Sequence, residues 1–316
     1  MSSACQSVWS MKTCLPGQPE KALPDVRRLP QTRYLRWGFT LLLLLTTGYF
    51  LDLTVLGREL VRFSLLALLA AMVVSVAQVV LSAWRWCYTA RQLGLVLPMA
   101  VAVREYYLAT FLNQVLPGGV LGDVNRAWRH SLDSGARLAS VHAVMIERLS
   151  GQLVMIAVVL GLGGWLAWYR YGVLEALAEY GERTLLLLAG LVAIAVLVAS
   201  LWQRAKNYVH ALRRDLRKAL LEWPALGIQV VSSAGVVASY LAVFSLLALG
   251  AGYWTDPHIA LVLTSLCSLL LLVMAIPVTV AGWGVREGAA ALLWPMAGLP
   301  AEQGVALSVG YGLAVL

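Results

Sequence analysis

Leu112-Asn-Gln-Val-Leu-Pro-Gly-Gly-Val-Leu-Gly-Asp-Val-Asn-Arg126 and Ala275-Ile-Pro-Val-Thr-Val-Ala-Gly-Trp-Gly-Val-Arg-Glu287 are two apolar stretches broken by Pro and Gly, and each break carries charge. What they mean depends on the solvent around them. The surrounding chain of 316 residues is 60% hydrophobic and 13% charged, with a mean hydropathy of +0.77. Soluble domains average about 45–50% apolar and about 25% charged residues. A water-soluble core of this size cannot hide so much apolar surface, so the solvent is lipid. Long continuous apolar runs exclude a β-barrel, which is built from short alternating segments. The sequence therefore predicts an all-α, polytopic transmembrane helical bundle of about six to eight spans. Two of these are Pro/Gly-broken re-entrant or half-helices, and their recurrence in both halves raises the question of an internal pseudo-repeat.

Runs long enough to cross a core of roughly 30 Å occur at 37–56, 61–83, 139–169, 184–202, 225–253 and 258–281. The runs at 107–121 and 288–299 are too short to cross alone, and the run at 303–316 is also short. Residues 1–34 are polar and contain Pro16, Gly17, Pro19, Pro24 and Pro30, which predicts a disordered cytoplasmic tail before a membrane domain at 35–316.

The net charge of +8 is concentrated in that tail and in 203–222. Other basic residues cluster at Arg85, Arg91 and Arg104, and at Arg126, Arg129 and Arg137. The positive-inside rule places all of these in the cytoplasm, together with the N-terminus. That works only if 105–122 dips in and returns on one side, which leaves Glu175, Glu179 and Glu182 outside. The expected location is the cell (inner or plasma) membrane. In 203–222, Val209, Leu212, Leu216, Leu220 and Trp223 recur at helical spacing, so a basic amphipathic cytoplasmic linker helix is expected there. Its basic face could bind anionic head groups, or it could serve only to set topology.

Several function classes fall away. No basic stretch interleaves with base-stacking aromatics, so no nucleic-acid partner is expected. Cys5, Cys14, Cys87 and Cys267 make no C-x-x-C, and His130, His142, His210 and His258 lack metal-ligand spacing, so no metal or cofactor is expected. There is no G-x-S-x-G elbow, Walker motif or D-x-D, and a catalytic role is not expected.

The charged breaks are the candidate site. Pro117 removes a backbone donor and Gly118, Gly119 and Gly122 permit turns, so the helix stops. In lipid, broken backbone must face protein or a water-filled cavity. Asp123 and Arg126 are three apart and can pair on one helical face. This is either a polar pocket with Arg126 aimed at a phosphate or a cytoplasmic loop whose Asp caps the next helix. Glu147-Arg148 lies inside an apolar run, where insertion scales put each charge at roughly 2.5–3.5 kcal/mol. The two side chains point about 100° apart on a helix, so each needs a partner on another segment unless the pair lies at the interface. Pro277, Gly282 and Gly284, followed by Arg286 and Glu287, repeat the recipe. With Asn113 at the approach to the first break, these residues form the expected lipid head-group site.

In order, Leu-Pro-Gly-Gly-x-x-Gly-Asp-x-x-Arg at 116–126, Glu-Arg-Leu-x-Gly at 147–151 and Ile-Pro-x-x-x-x-Gly-x-Gly-x-Arg-Glu at 276–287 resemble the membrane region of lysylphosphatidylglycerol synthases, which also defines a wider flippase-like family. The resemblance covers roughly 35–316. It implies a lipid-handling domain that moves a lipid between leaflets, with membrane lipids, anionic or lipid-linked, as partners. It also implies that the family's buried charged residues correspond to Asp123, Arg126, Glu147, Arg148, Arg286 and Glu287. The cytosolic aminoacyl-transferase domain of the full synthases is expected to be absent, so lysyl transfer is not carried over. The alternatives are a membrane transferase using Asp123 or Glu147 as a base, or an accessory subunit bound to an envelope-biosynthesis enzyme. A homodimer is a further partner expectation.

Overall fold

The computed structural model describes residues 51–115, 120–166, 206–274 and 283–315, with Trp168 and scattered positions within 38–49. The expected tail at 1–34, the centres of both breaks (116–119 and 275–282) and the expected span at 184–202 lie outside these residues.

Every described element is helical. In chain order they are α1 (Leu53–Val61), α2 (Leu65–Gln92), α3 (Met99–Val115), α4 (Leu121–Ser134) and α5 (Arg137–Leu166). After them come α6 (Lys206–Leu216), continued by one π-helical turn (Arg217–Leu221), then α7 (Ala225–Gly250), α8 (Pro257–Met274), α9 (Val285–Met296) and α10 (Ala301–Val315). Of these, α2, α5, α7 and α8 are long and apolar enough to cross a membrane. The bundle is a helical membrane protein, as the composition requires.

Local chemistry sets the boundaries, and two of them differ from the apolar runs. The run at 37–56 is not one helix. The Asp52 carboxylate accepts from the Thr54 and Val55 amides at 2.8 and 3.2 Å and starts α1 as a separate element. The run at 61–83 continues to Gln92, because α2 turns a polar stripe inward and can carry Arg85 inside the bundle. Asp256 caps α8 in the same way as Asp52 caps α1. The amides of Ile259 and His258 hold its carboxyl below the ordinary carboxylate range.

The long contact of the fold is α2 on α7. Gly250 there sits against the Ala67 methyl, and Gly235 leaves room for Leu81. Small residues are what permit such approach in lipid, where apolar burial alone does not drive helices together. A second core joins α7, α8, α9 and α10 through Phe244, Leu247, Leu263, Leu270, Trp294 and Leu307, with the Phe244 and Tyr311 rings stacked at 4.2 Å.

Both short-helix regions fold as antiparallel pairs. Between α3 and α4, Asn113 meets Gly122 and Asp123, Tyr106 meets Arg126, and Glu105 meets Arg129. One set of numbers falls as the other rises, so α3 and α4 run antiparallel. Between α9 and α10, Arg286 meets Ser308 and Trp294 meets Gly304. At 17 and 12 residues, α3 and α9 span about 25 Å and 18 Å, both short of a hydrocarbon core. The basic helix expected at 203–222 is present as α6 and its π turn. It packs through Leu216, Ala219 and Leu220 on Ile146 of α5, and Asp215 meets His142 at 2.6 Å.

Candidate functional site

The site begins on α2. Ser75, Gln78, Ser82, Arg85 and Thr89 are all buried and recur every three or four residues, so they form one polar stripe facing inward. Arg85 reaches α5, where Nη2 donates to the Glu147 carbonyl at 2.9 Å and to Ser150 Oγ at 2.8 Å. Its Nη1 lies 3.5 Å from Glu147 Oε1. Ser150 in turn donates to Gln229 Oε1 on α7 at 3.2 Å, and Gln229 Nε2 donates to Thr89 at 2.8 Å. Three spans are thus tied by one buried hydrogen-bond chain.

Arg126 on α4 is the centre. It is 0% exposed, donates to Asp123 Oδ1 at 2.9 Å and to Glu147 Oε2 at 2.7 Å, and lies between the Trp86 and Tyr106 rings at 4.8 and 4.4 Å. Flat guanidinium geometry suits both contacts at once. Arg148 pairs with Asp123 Oδ2. Glu147 and Arg148 therefore look to different partners, as adjacent helical positions must. Tyr106 donates to Glu147 Oε1 at 3.3 Å. Arg85, Arg126 and Arg148 against Asp123 and Glu147 leave the cluster with one surplus positive charge. Four of the five are nearly sealed, but 43% of the Arg148 side chain is accessible.

That accessibility opens onto a cavity of about 830 Å³. Val120 at the N-cap of α4 and Val124 and Trp128 on α4 line it, with Val141, Met145 and Leu149 from α5. Each set is spaced by four, so two apolar stripes face one another. Asp123 and Arg148 stand at one end, and Arg137 lies on the wall with its guanidinium 5.9 Å from the Trp128 ring. Leu212 and Leu216 of α6 also border the space. A smaller cavity of about 190 Å³ lies behind Arg148, and Tyr106, Arg148, Tyr240 and Tyr311 belong to the walls of both.

The first break is held by Asn113. Its Oδ1 accepts from the Gly122 amide at 2.8 Å, and its Nδ2 donates to Asp123 at 3.3 Å. Asn113→Ala leaves a helix-start amide without that acceptor and loosens Asp123. Thermal unfolding in detergent is expected to show a loss of about 1–3 kcal/mol, and an unchanged transition would mean the contact is idle.

The second break is built differently. Gly284 has φ 83°, a left-handed conformation that suits glycine, and precedes α9. Glu287 Oε2 accepts from the Gly284 amide at 2.7 Å, closing the helix start. Arg286 forks onto Glu287 Oε1 at 2.9 and 3.1 Å and onto Ser308 at 2.6 Å. It lies against Trp283 and Tyr311 at 4.9 and 5.6 Å. Arg286 and Glu287 are 3% and 2% exposed and are not among the described lining of either cavity. Among the described residues, the charges of the second break do not join those of the first on the walls of these two cavities. The capping demand of α9 absorbs both charges, and Tyr311 is what that side presents to the cavity. The two regions still meet, because Gln114 Nε2 donates to the Val315 carbonyl at 3.2 Å. Pro117, Gly118, Gly119, Pro277 and Gly282 lie outside the described residues.

Sequence reading placed Arg85 among cytoplasmic topology signals, whereas the structure buries it at 3%. The polar stripe at 75, 78, 82, 85 and 89 was the available signal. Tyr106, Tyr240 and Tyr311 had none, since isolated tyrosines in apolar helices look like interface anchors.

A family model described as the lysylphosphatidylglycerol synthase TM region matches residues 34–316. No curated protein and no solved structure gives a significant match.

Proposed function

The chain belongs to the family of the lysylphosphatidylglycerol synthase TM region, and from that premise we propose that this lipid-related membrane protein moves a phospholipid or a lipid-linked sugar between leaflets. The observation that carries the proposal is the shape and chemistry of the 830 Å³ cavity, whose two apolar stripes end at a charged head-group position. A lipid has the same division. The α3–α4 hairpin acts as the re-entrant element, with Arg137 and the α6 helix on the cytoplasmic side of the cell membrane. Asp123 and Glu147 each meet two guanidiniums. Carboxylates so engaged are poorly placed to take a proton from a substrate, which favours movement over covalent transfer.

The test is exchange of labelled phospholipid across proteoliposome membranes. Val124→Trp with Met145→Trp adds bulk at two accessible positions facing the cavity. The wild-type protein is expected to accelerate exchange, and the filled variant to fall to the protein-free rate while keeping its elution profile. Exchange at the wild-type rate in a folded, filled variant would mean the lipid takes another path.

A further inference from the structure

We propose that six side chains form a closed gate across the bundle, and that the 190 Å³ cavity behind it is a water-holding chamber kept apart from the large cavity. This deepens the lipid-moving reading by naming the point that controls passage, and its test needs no lipid movement. Along α5 the large cavity runs from Arg137 to Gln152 and the small one from Glu147 to Met155, so the small one continues the large one deeper into the span. Among the described residues, Tyr106, Arg148, Gln152, Tyr240, Met274 and Tyr311 line both. They come from five separate helices, α3, α5, α7, α8 and α10. Side chains that form the walls of two adjoining cavities are what divides them.

The chamber suits water. Each water needs about 30 Å³ and a few polar partners, so there is room for several, and Ser82, Arg85 and Glu147 put polar groups on the wall. Water-filled spaces that join across a membrane leak ions, so a carrier must interrupt them. Two of the six dividing side chains are fixed. Tyr311 is buried and stacked on Phe244 at 4.2 Å, while Tyr106 donates to Glu147 and covers the Arg126 guanidinium. The others have freedom. Gln152, Tyr240 and Met274 are half-buried, and the Arg148 side chain is 43% accessible. Rotation of accessible side chains is fast, and it parts the ring without moving a helix.

The experiment is alkylation by iodoacetamide of cysteines introduced one at a time into the full chain in lipid nanodiscs, with the rate at each site read by peptide mapping. Met145→Cys places a thiol on the wall of the large cavity alone, and Ser82→Cys on that of the small one alone. A gate whose open form is populated at about 0.1–10% slows reaction behind it, so the Ser82→Cys thiol is expected to react about tenfold or more slowly than the Met145→Cys thiol. Tyr240→Ala should raise the Ser82→Cys rate about tenfold or more and leave the Met145→Cys rate as it was. Buried Cys267 reports folding in every sample, since it reacts only when the bundle opens. Met274→Ala repeats the test should Tyr240→Ala fail to fold. Equal rates at the two sites with the gate unaltered overturn the proposal whether or not the variants fold. So does a slow Ser82→Cys rate that neither Tyr240→Ala nor Met274→Ala raises in folded protein. Gated labelling in a protein that exchanges no lipid would sink the lipid-moving reading and leave the gate standing. Lipid exchange with equal labelling at the two sites would do the reverse.

Discussion

Arg126→Met is expected to cost the protein its fold. Arg126 is fully buried, holds Asp123 and Glu147 at once, and fills the space between Trp86 and Tyr106. Met replaces the apolar stem but leaves two carboxylates sharing the charges of Arg85 and Arg148. Removing one partner from a buried ion network costs about 3–5 kcal/mol, against a total stability of only about 5–15 kcal/mol. The charges still balance in number, but Asp123 Oδ1 and Glu147 Oε2 lose their hydrogen-bond donor, and in lipid there is no water to replace it. Thermal unfolding followed by size-exclusion should show a sharply lowered transition or aggregation. Adding Glu147→Gln to Arg126→Met should recover part of the loss, since the two positions share one interaction. An unchanged transition in the single variant would show that the cluster does not hold the helices.

Gly122→Val is the second large effect. A Cβ on Gly122 would fall on the Ala109 carbonyl of α3, which belongs to the backbone and cannot swing aside as a side chain does. The α3–α4 hairpin must open to admit it. That opening breaks the Asn113 bridge and shifts Asp123 and Arg126 away from α5. Overpacking costs about 1–3 kcal/mol in well-packed sites, and the linked polar contacts push the result to the upper end. The expected outcome is a lowered melting transition together with loss of lipid exchange. A variant that melts and transports as the unaltered chain does would mean the close approach is not required. Gly94, whose added Cβ would meet nothing but whose φ is 80°, is the contrasting case: a turn glycine with open space around it.

Much of the fold was legible because lipid removes alternatives. Long apolar runs must be helices there, and four of them are long helices. Pro/Gly breaks with opposite charges must be satisfied by protein, and on the described flanks of the first one Asn113 holds Gly122 and Asp123 while Asp123 meets Arg126. What the sequence did not show is which charges serve a cavity and which serve a helix end. Arg286-Glu287 and Asp123-Arg126 look alike in one dimension. They diverge because Glu287 stands three residues after Gly284 and closes the start of α9, while Asp123 lies on α4 against the separate span that carries Arg148. The buried role of Arg85 was hidden for a related reason: its neighbours in sequence are the basic residues of a helix end, and its neighbours in space are Glu147 and Ser150.

The central claim is that a lipid head group comes to rest beside Arg148, inside the bundle. Its most direct test uses a phospholipid with a photoreactive group on the head, followed by peptide mapping of the adducts in the full chain. The account predicts adducts on α4 and α5 at positions facing the cavity, around Val124, Met145 and Arg148, diminished in the Val124→Trp, Met145→Trp variant. Adducts confined to the exposed basic face of α6 or to the helix ends, and unchanged in that variant, would contradict it.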